Sequence, residues 1–386
     1  MIRKNFLPPF SPYIGEEEIK EVIDTLKSDW IAMGPKTLKF EELFREYIGS
    51  KFAISVSSCT AGLHLSLVAL NIKDGDEVIT TPYTFAATGN VIVHQRAKPV
   101  FVDIDKETYN INVEEIEKSI TDKTKAIIPV HYAGHPCEMD EILKIAKDYD
   151  LYVIEDAAHA LGAEYKGKKI GTLGDTTSFS FYATKNITTG EGGMVTTDRE
   201  EIAEKIKILR LHGISRDAWK RYSSEGSWYY EIIECGYKYN MTDIQAAIGI
   251  HQLKKVEIMR KRREEIAKIY NDEFENISEL IIPITKKHVK HAWHLYPLLL
   301  DTDKIRINRN KFIEELKKQN IGTSVHFIPL HLHPFYKRTF GYKKGDFPNA
   351  EWVYEREISL PIYPKMTDDD AIDVVNAVKK IISEYK

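Results

Sequence analysis

From residue 52 onward, short apolar, β-branched runs alternate with amphipathic stretches. FAISV is followed by a helix predicted over 61–70, EVITTP by one over 86–95, PVFVDID by one over 113–120, and KAIIPVHY by one over 139–149, before LYVIED. Strands that read as continuous apolar runs, separated by helices in this rhythm, predict a mostly parallel sheet covered on both faces. SFSFYA, a glycine-rich turn and GGMVTTD close that sheet, and a helix over 200–211 follows. Upstream, FLPPFSPYIGEEE reads as an extended arm over 1–15 and then a helix over 16–27, broken in SDWIAMGPK by Gly34 and Pro35. Residues 212–231, with Arg216, Trp219, Lys220, Arg221 and Trp228, form an irregular basic and aromatic segment, read either as a functional loop or as a subunit contact. A long helical stretch runs from 241 to 274, and from Pro283 the pattern changes to α+β: HLYPLLLD, a helix over 309–319, GTSVHF and a closing helix over 368–384. The expected division is an arm over 1–15, a large α/β domain over 16–255 and a smaller α+β domain over 256–386.

Composition sharpens this picture by exclusion. A chain of 386 residues is long enough for two cores. Its apolar share of 43% and formal charge of −4 describe an ordinary soluble protein with neither nucleic acid nor a membrane as partner. Any anionic substrate must then be met by local positive groups. The opening residues lack an apolar signal-peptide core and no uncharged apolar run approaches the roughly 18 residues that span a bilayer, so a cytoplasmic location is expected. Cys59, Cys137 and Cys235 have no disulfide or metal spacing, which agrees with a reducing compartment. His326, His331 and His333 lie close together, as do His131, His135 and Cys137, but neither group has a full ligand set nearby, and no metal is assigned.

Chemistry enters at two residues. Lys185 lies between two β-like runs in SFSFYATKNITTGEGGMVTT, and Asp156 ends the strand of LYVIED. Alone, the first is a solvated turn lysine and the second a helix cap. Together they are the groups that pyridoxal phosphate needs from a protein: an amine for the Schiff base with its aldehyde, and a carboxylate that keeps a proton on its pyridine nitrogen. Strand ends in parallel α/β sheets are where ligands collect. The hydroxyls of Ser57, Ser58 and Thr60, just before the helix predicted from Ala61, offer an anion site for the phosphate.

The phrases SSCTAGLHLSL, TPYTFAAT, EDAAHALGA, SFSFYATKN, GEGGMVTT, GYKYNMTDIQAAIG and GTSVHFIPLHLHPFY follow one another over nearly the whole chain. In that order they resemble the DegT/DnrJ/EryC1/StrS family of sugar-nucleotide aminotransferases. The resemblance implies the type I fold of pyridoxal-phosphate enzymes, an α/β architecture with a mostly parallel seven-stranded sheet, and a homodimer with active sites at the subunit interface. It implies Thr60, Ala61 and Ser180 as phosphate ligands, with Asn240 reaching the phosphate from the neighbouring subunit. Phe85 would stack on the ring and His159 would lie near the ring hydroxyl. His326 and Lys238 would contact the sugar nucleotide, while Trp30 is either a packing anchor or part of a substrate wall. The expected reaction carries an amino group from an amino acid, glutamate by analogy, to a keto sugar on a nucleoside diphosphate, with a UDP-linked 4-keto sugar favoured by GYKYNMTD and GTSVHF. A dehydratase branch of the family has histidine at the lysine position, and this chain keeps Lys185. A regulatory protein that binds the cofactor without turnover is the other alternative. A dinucleotide-dependent oxidoreductase on a similar sheet lacks support, since no G-x-G-x-x-G opens a helix after the first strand and no P-loop is present.

Overall fold

The computed structural model describes residues 3–215 and 229–386. Arg216, Trp219, Lys220, Arg221 and Trp228 of the basic and aromatic segment lie outside the described residues. Helix α1 (Glu16–Lys27) follows the arm as expected, and α2 (Pro35–Ile48) begins inside the segment read as a break. Proline in the first helical turn needs no intrahelical donor and arrives with a helical φ, so Pro35 opens a helix that its presence seemed to forbid.

The alternation is realised as β1 (Phe52–Val56), α3 (Cys59–Ala69), β2 (Glu77–Thr80), α4 (Ala86–His94), β3 (Lys98–Phe101), α5 (Val113–Ile116), β4 (Thr124–Ile128), α6 (Met139–Asp148) and β5 (Tyr152–Asp156). The helix predicted over 113–120 is shorter, because α5 passes into a tighter turn at Glu117–Ser119. After a ribbon of β6 (Glu164–Tyr165) and β7 (Lys168–Lys169) come β8 (Thr176–Ser180) and β9 (Gly193–Thr197), which flank the Lys185 loop. Seven strands form one sheet in the order β1-β9-β8-β5-β4-β2-β3. All of its pairings are parallel except those of β9, which runs antiparallel to both β1 and β8. Neighbouring residues of β9 point to opposite faces: Met194 joins the cluster that holds Phe40, Phe44, Phe179 and Phe181, whereas Val195 joins that of Ile54, Leu63 and Leu65. The sheet is therefore buried on both sides.

Helix α7 (Glu200–Leu209) covers the sheet, and the stretch expected as one long helix is two, α8 (Asp243–Lys254) and α9 (Val256–Phe274). Thr242 and Gln245 form a reciprocal capping box at the start of α8. Helix α9 contributes Met259 to the core around Phe40, and Tyr270 and Phe274 to a separate core with Tyr296, Phe312 and Ile381. That second core lies under a three-stranded sheet of β10 (Leu280–Ile281), β12 (Tyr296–Leu300) and β13 (Glu357–Leu360). It is covered by α10 (Arg309–Lys318) and α13 (Asp368–Tyr385), whereas α11 (Pro334–Phe340) and α12 (Pro348–Arg356) pack in a further cluster with Tyr83, Phe101 and Leu299, and β11 (Val289–Lys290) pairs with β6. Leu7 of the arm pairs with Ile321, so the arm lies on the second core. Among the described residues, no helix is long and apolar enough to cross a membrane.

Helix α2 is fixed to the sheet by a buried charge pair. Glu41 accepts hydrogen bonds from the amide of Ser55 at 2.9 Å, from its hydroxyl at 2.7 Å, and from Arg210. Replacing Glu41 with alanine leaves the Arg210 guanidinium buried without its carboxylate, which is expected to cost about 3 kcal/mol of unfolding free energy in a urea titration. A loss below about 1 kcal/mol would show that this pair does not fasten α2.

Candidate active site

Strands β5 and β8 run in parallel and end side by side, so Asp156 and Ser180 emerge at the same edge of the sheet. Asp156 is buried, and its Oδ2 accepts a 2.8 Å hydrogen bond from Thr88 Oγ1 while Oδ1 accepts one of 3.1 Å from the Ala158 amide. Thr88 is itself held by Thr84, at 2.8 Å between hydroxyl oxygens. Burial raises the Asp156 carboxyl above its usual range, and these hydrogen bonds, together with Lys185, oppose that rise. A desolvated carboxylate so supported calls for a cationic partner in the cavity.

Lys185 sits in the loop between β8 and β9. Its amide donates to the Tyr182 carbonyl, and Asn186 Nδ2 donates to the carbonyls of Leu161 and Ala292 at 3.2 Å each. The loop is thus anchored on both sides of the lysine. Burial lowers the Lys185 amine to about 8, with Cys59 and Asp156 pulling the other way. Helix α3 starts at Cys59, two residues before the expected Ala61, because Ser58 is the cap: its Oγ accepts from the Ala61 amide at 3.1 Å. The Ala61 N–H is therefore already engaged, and the first-turn amides of Cys59 and Thr60 have no intrahelical acceptor. Gly193 lets β9 lie against this helix start, since a Cβ there would fall 2.6 Å from the Ser58 carbonyl carbon and 2.7 Å from the Cys59 nitrogen.

One cavity of about 610 Å³ collects these groups. Its lining includes Lys185, Asp156, His159, Thr60, Ser180, Phe85 and His326 among the sequence-derived candidates. Phe85 stands just before α4, exposed, with its ring centroid 6.0 Å from that of Phe327. His159 is buried between His294, at 4.3 Å between centroids, and Phe327, at 5.9 Å. Its Nδ1 has no hydrogen-bond partner among the described residues, and burial, reinforced by Lys185 and His326, keeps the ring neutral. Burial and Lys185 also lower His326, to about 4.

Other candidates lie elsewhere. Ala61 is packed behind the cavity wall, and the Trp30 indole bonds to the Met33 carbonyl over Gly34. Lys238 is exposed beside Leu211, and Asn240 donates to the Met241 carbonyl while its Oδ1 has no partner among the described residues. Sequence reasoning passed over Thr88, Cys59, His294 and Phe327. Thr88 follows Phe85 by three residues at a helix start, a spacing that puts both on one face. His294 has no such signal. The histidine groups considered for metal are dispersed: His331 is paired with Glu351, and His131 with Glu155, each at 2.9 Å.

The donor set fits pyridoxal phosphate. A buried amine suits an aldehyde, a buried carboxylate suits a protonated ring nitrogen, and the start of α3 with Thr60 and Ser180 suits a phosphate. Fold and cavity together define a pyridoxal-phosphate-dependent aminotransferase. More narrowly, the chain belongs to the DegT/DnrJ/EryC1/StrS aminotransferase family, whose sequence pattern matches residues 12–379. It is 54% identical over 381 residues to the spore coat polysaccharide biosynthesis protein SpsC of Bacillus subtilis, covering 98% of each chain. The sugar aminotransferase Spr1654 of Streptococcus pneumoniae, in its pyridoxamine-phosphate form, superposes with a TM-score of 0.92 at 36% identity, over 98% of this chain and 99% of that one. PseC of Helicobacter pylori, an aminotransferase involved in the biosynthesis of pseudoaminic acid, gives 0.91 at 33% identity, over 99% and 100%. The protein is a pyridoxal-phosphate-dependent sugar aminotransferase.

Thr88→Val removes a hydrogen bond to a buried carboxylate worth about 1.5 kcal/mol, so the Kd for pyridoxal phosphate in a fluorescence titration is expected to rise about tenfold. An unchanged Kd would refute the support assigned to Thr88. In the cofactor-free enzyme, acylation of Lys185 followed by mass spectrometry should reach half its maximum near pH 8, because only the neutral amine reacts. A midpoint at the ordinary lysine value of 10.5 would contradict this burial effect.

Proposed function

We propose that this chain transfers the amino group of glutamate to the keto group of a sugar linked to a nucleoside diphosphate, a UDP-linked 4-keto sugar in the favoured case. The observation that carries the reading is that Lys185, Asp156 and His326, from distant parts of the chain, line one cavity. When bound, pyridoxal phosphate supplies the electron sink that lets the donor's α-proton leave and its amino group change carriers. Lys185 Nζ, increasingly neutral as the pH rises through about 8, would be the base that carries this proton. The Asp156 carboxylate holds the proton of the ring nitrogen. Thr60 and Ser180, with the first turn of α3, would hold the phosphate, Phe85 would cover the ring face, and His159 would lie by the ring hydroxyl.

Sugar chemistry is supported by the relatives, and activation on a nucleotide by the role of SpsC in polysaccharide synthesis, a process that consumes activated sugars. Residues 16–255 serve as the cofactor-holding unit and 256–386 as the unit that brings His326. A homodimer is supported by the exposed stripe of Ile19, Ile23 and Leu26 on α1, and by exposed Ile232 and Ile233. In that dimer Asn240, whose buried Oδ1 has no partner among the described residues, would reach the phosphate in a second copy, and Lys238 and Trp30 would meet substrate across the interface. Three free cysteines suit the reducing cytoplasm, where we place the reaction.

Glutamate alone should convert the bound cofactor from its aldehyde to its amine form, followed by absorbance. One member of a panel of UDP-, dTDP- and GDP-linked keto sugars should convert it back with ping-pong kinetics. Absence of the first half-reaction would point to the regulatory alternative, and reversal by none of the panel would overturn the nucleotide-sugar reading. Lys185→Ala should lose both half-reactions by at least about a thousandfold.

A further inference from the structure

Glu357, the first residue of β13, is fully buried, yet no ion pair reaches its carboxyl among the described residues. Its Oε2 accepts from the backbone N–H of His326 at 2.9 Å, and its Oε1 meets the Ser359 hydroxyl. Ser359 Oγ lies 2.8 Å from Nδ1 of His326. His326 lines the cavity with Lys185, and its Nε2 has no hydrogen-bond partner among the described residues. Glu357, Ser359 and His326 therefore form a chain leading from a buried carboxyl to the substrate side of the site.

A hydroxyl has one proton to donate, so the direction of this chain is set at Glu357. If Glu357 is a carboxylate, Ser359 donates to it and accepts from Nδ1–H, which leaves Nε2 as an acceptor. If Glu357 is the neutral acid, it donates to Ser359, Ser359 donates to Nδ1, and the ring proton resides on Nε2. We propose that Glu357 is a positioning residue which, as the neutral acid, holds His326 in the Nε2–H tautomer, so that the site offers a hydrogen-bond donor to an oxygen of the sugar substrate. The inference rests on the sugar-nucleotide reading only for the identity of that oxygen.

Burial raises the Glu357 carboxyl to about 8, against the lowering effects of Ser359, the His326 amide and Arg309. The acid is thus neutral below about pH 8 and ionises above it. Arg309 donates to the Glu357 backbone carbonyl at 3.1 Å rather than to the carboxyl. Tyr83, Tyr109 and Tyr132, which also face Glu357, are pushed by burial well above that window and stay uncharged. Around His326, burial keeps His159 and His294 neutral, and it keeps His326 itself from becoming an imidazolium near neutral pH. Only the two neutral tautomers remain, and among the described residues the charge that acts on His326 is that of Lys185, whose free amine lies at about 8. On ionisation one proton leaves the chain at Nε2: Nδ1 takes the Ser359 proton, and Ser359 takes that of Glu357.

The test is the ¹⁵N chemical shift of the His326 ring in histidine-labelled holoenzyme, assigned by its loss in His326→Asn. The wild type should show the Nε2–H pattern at pH 6.5 and pass to the Nδ1–H pattern with a midpoint near 8. In Glu357→Gln the side-chain oxygen can accept from the His326 amide while the NH₂ donates to Ser359, so the Nε2–H pattern should persist to pH 9.5. Whatever charge the Lys185 nitrogen carries in the holoenzyme is common to both proteins, so its influence cancels in the comparison. Ser359→Ala cuts the chain and should abolish the pH-dependent exchange, which decides the matter if Glu357→Gln does not fold. A wild-type ring that shows one pattern throughout, or a variant that follows the wild-type curve, overturns the proposal. None of these readings needs the sugar, so failure of the keto-sugar panel would be recognised separately.

Discussion

The site depends on removing an amine and a carboxylate from water without letting both lose their function. Desolvation pushes each towards its neutral form, downward for Lys185 and upward for Asp156. The two are then treated differently by their neighbours. Asp156 receives hydrogen bonds from Thr88 and the Ala158 amide, which restore much of what water gave its charged form. No comparable acceptor is bonded to Nζ of Lys185 among the described residues, so the amine remains available as a neutral base. One burial effect therefore leaves a carboxyl group held by two donors and an amine with no such partner among the described residues.

That asymmetry is imposed by the sheet. Asp156 comes from the end of a parallel strand, where its side chain and the following amide can turn towards the same cavity. Lys185 comes from the connection into the one antiparallel strand, β9, which must reverse direction within the loop. The reversal brings Gly193 against the first residues of α3, so the groups that suit a phosphate and the lysine are fixed by a single backbone contact. The buried Glu41–Arg210 pair holds α2 on the outer side of this arrangement, away from the chemistry but continuous with β1.

Much of this was legible in the sequence because the relevant signals are local. Lys185, Asp156, Ser180 and the Ser58–Thr60 turn each stand at the end of a strand or the start of a helix that the apolar pattern delimits. What escaped depended either on a residue with two uses or on contacts between remote segments. Pro35 reads equally as the end of one helix and the beginning of another. The division of 241–274 into α8 and α9 carries no glycine or proline signal. Thr88 was hidden as one of three threonines in TPYTFAAT, although only its place on α4 brings its hydroxyl to Asp156. Glu357 and Ser359 alternate correctly for one face of a strand, but nothing local shows that this face meets His326, because their contact is made across the Ser324–Ser359 bridge.

The same electrostatics bear on how the proposed substrate is held. His159, His294 and His326 are all kept neutral, and among the described residues Lys185 is the only lysine or arginine that lines the cavity. A cofactor phosphate can be met by the amides and hydroxyls at the start of α3. A second, diphosphate-bearing ligand would add charge that this lining does not neutralise, and the chain as a whole is negative. Among the described residues, cations for such a ligand lie outside this lining. Lys238, exposed and two residues before Asn240, belongs to the segment already argued to cross into a second copy, so substrate charge and cofactor phosphate would both tie a complete site to the dimer.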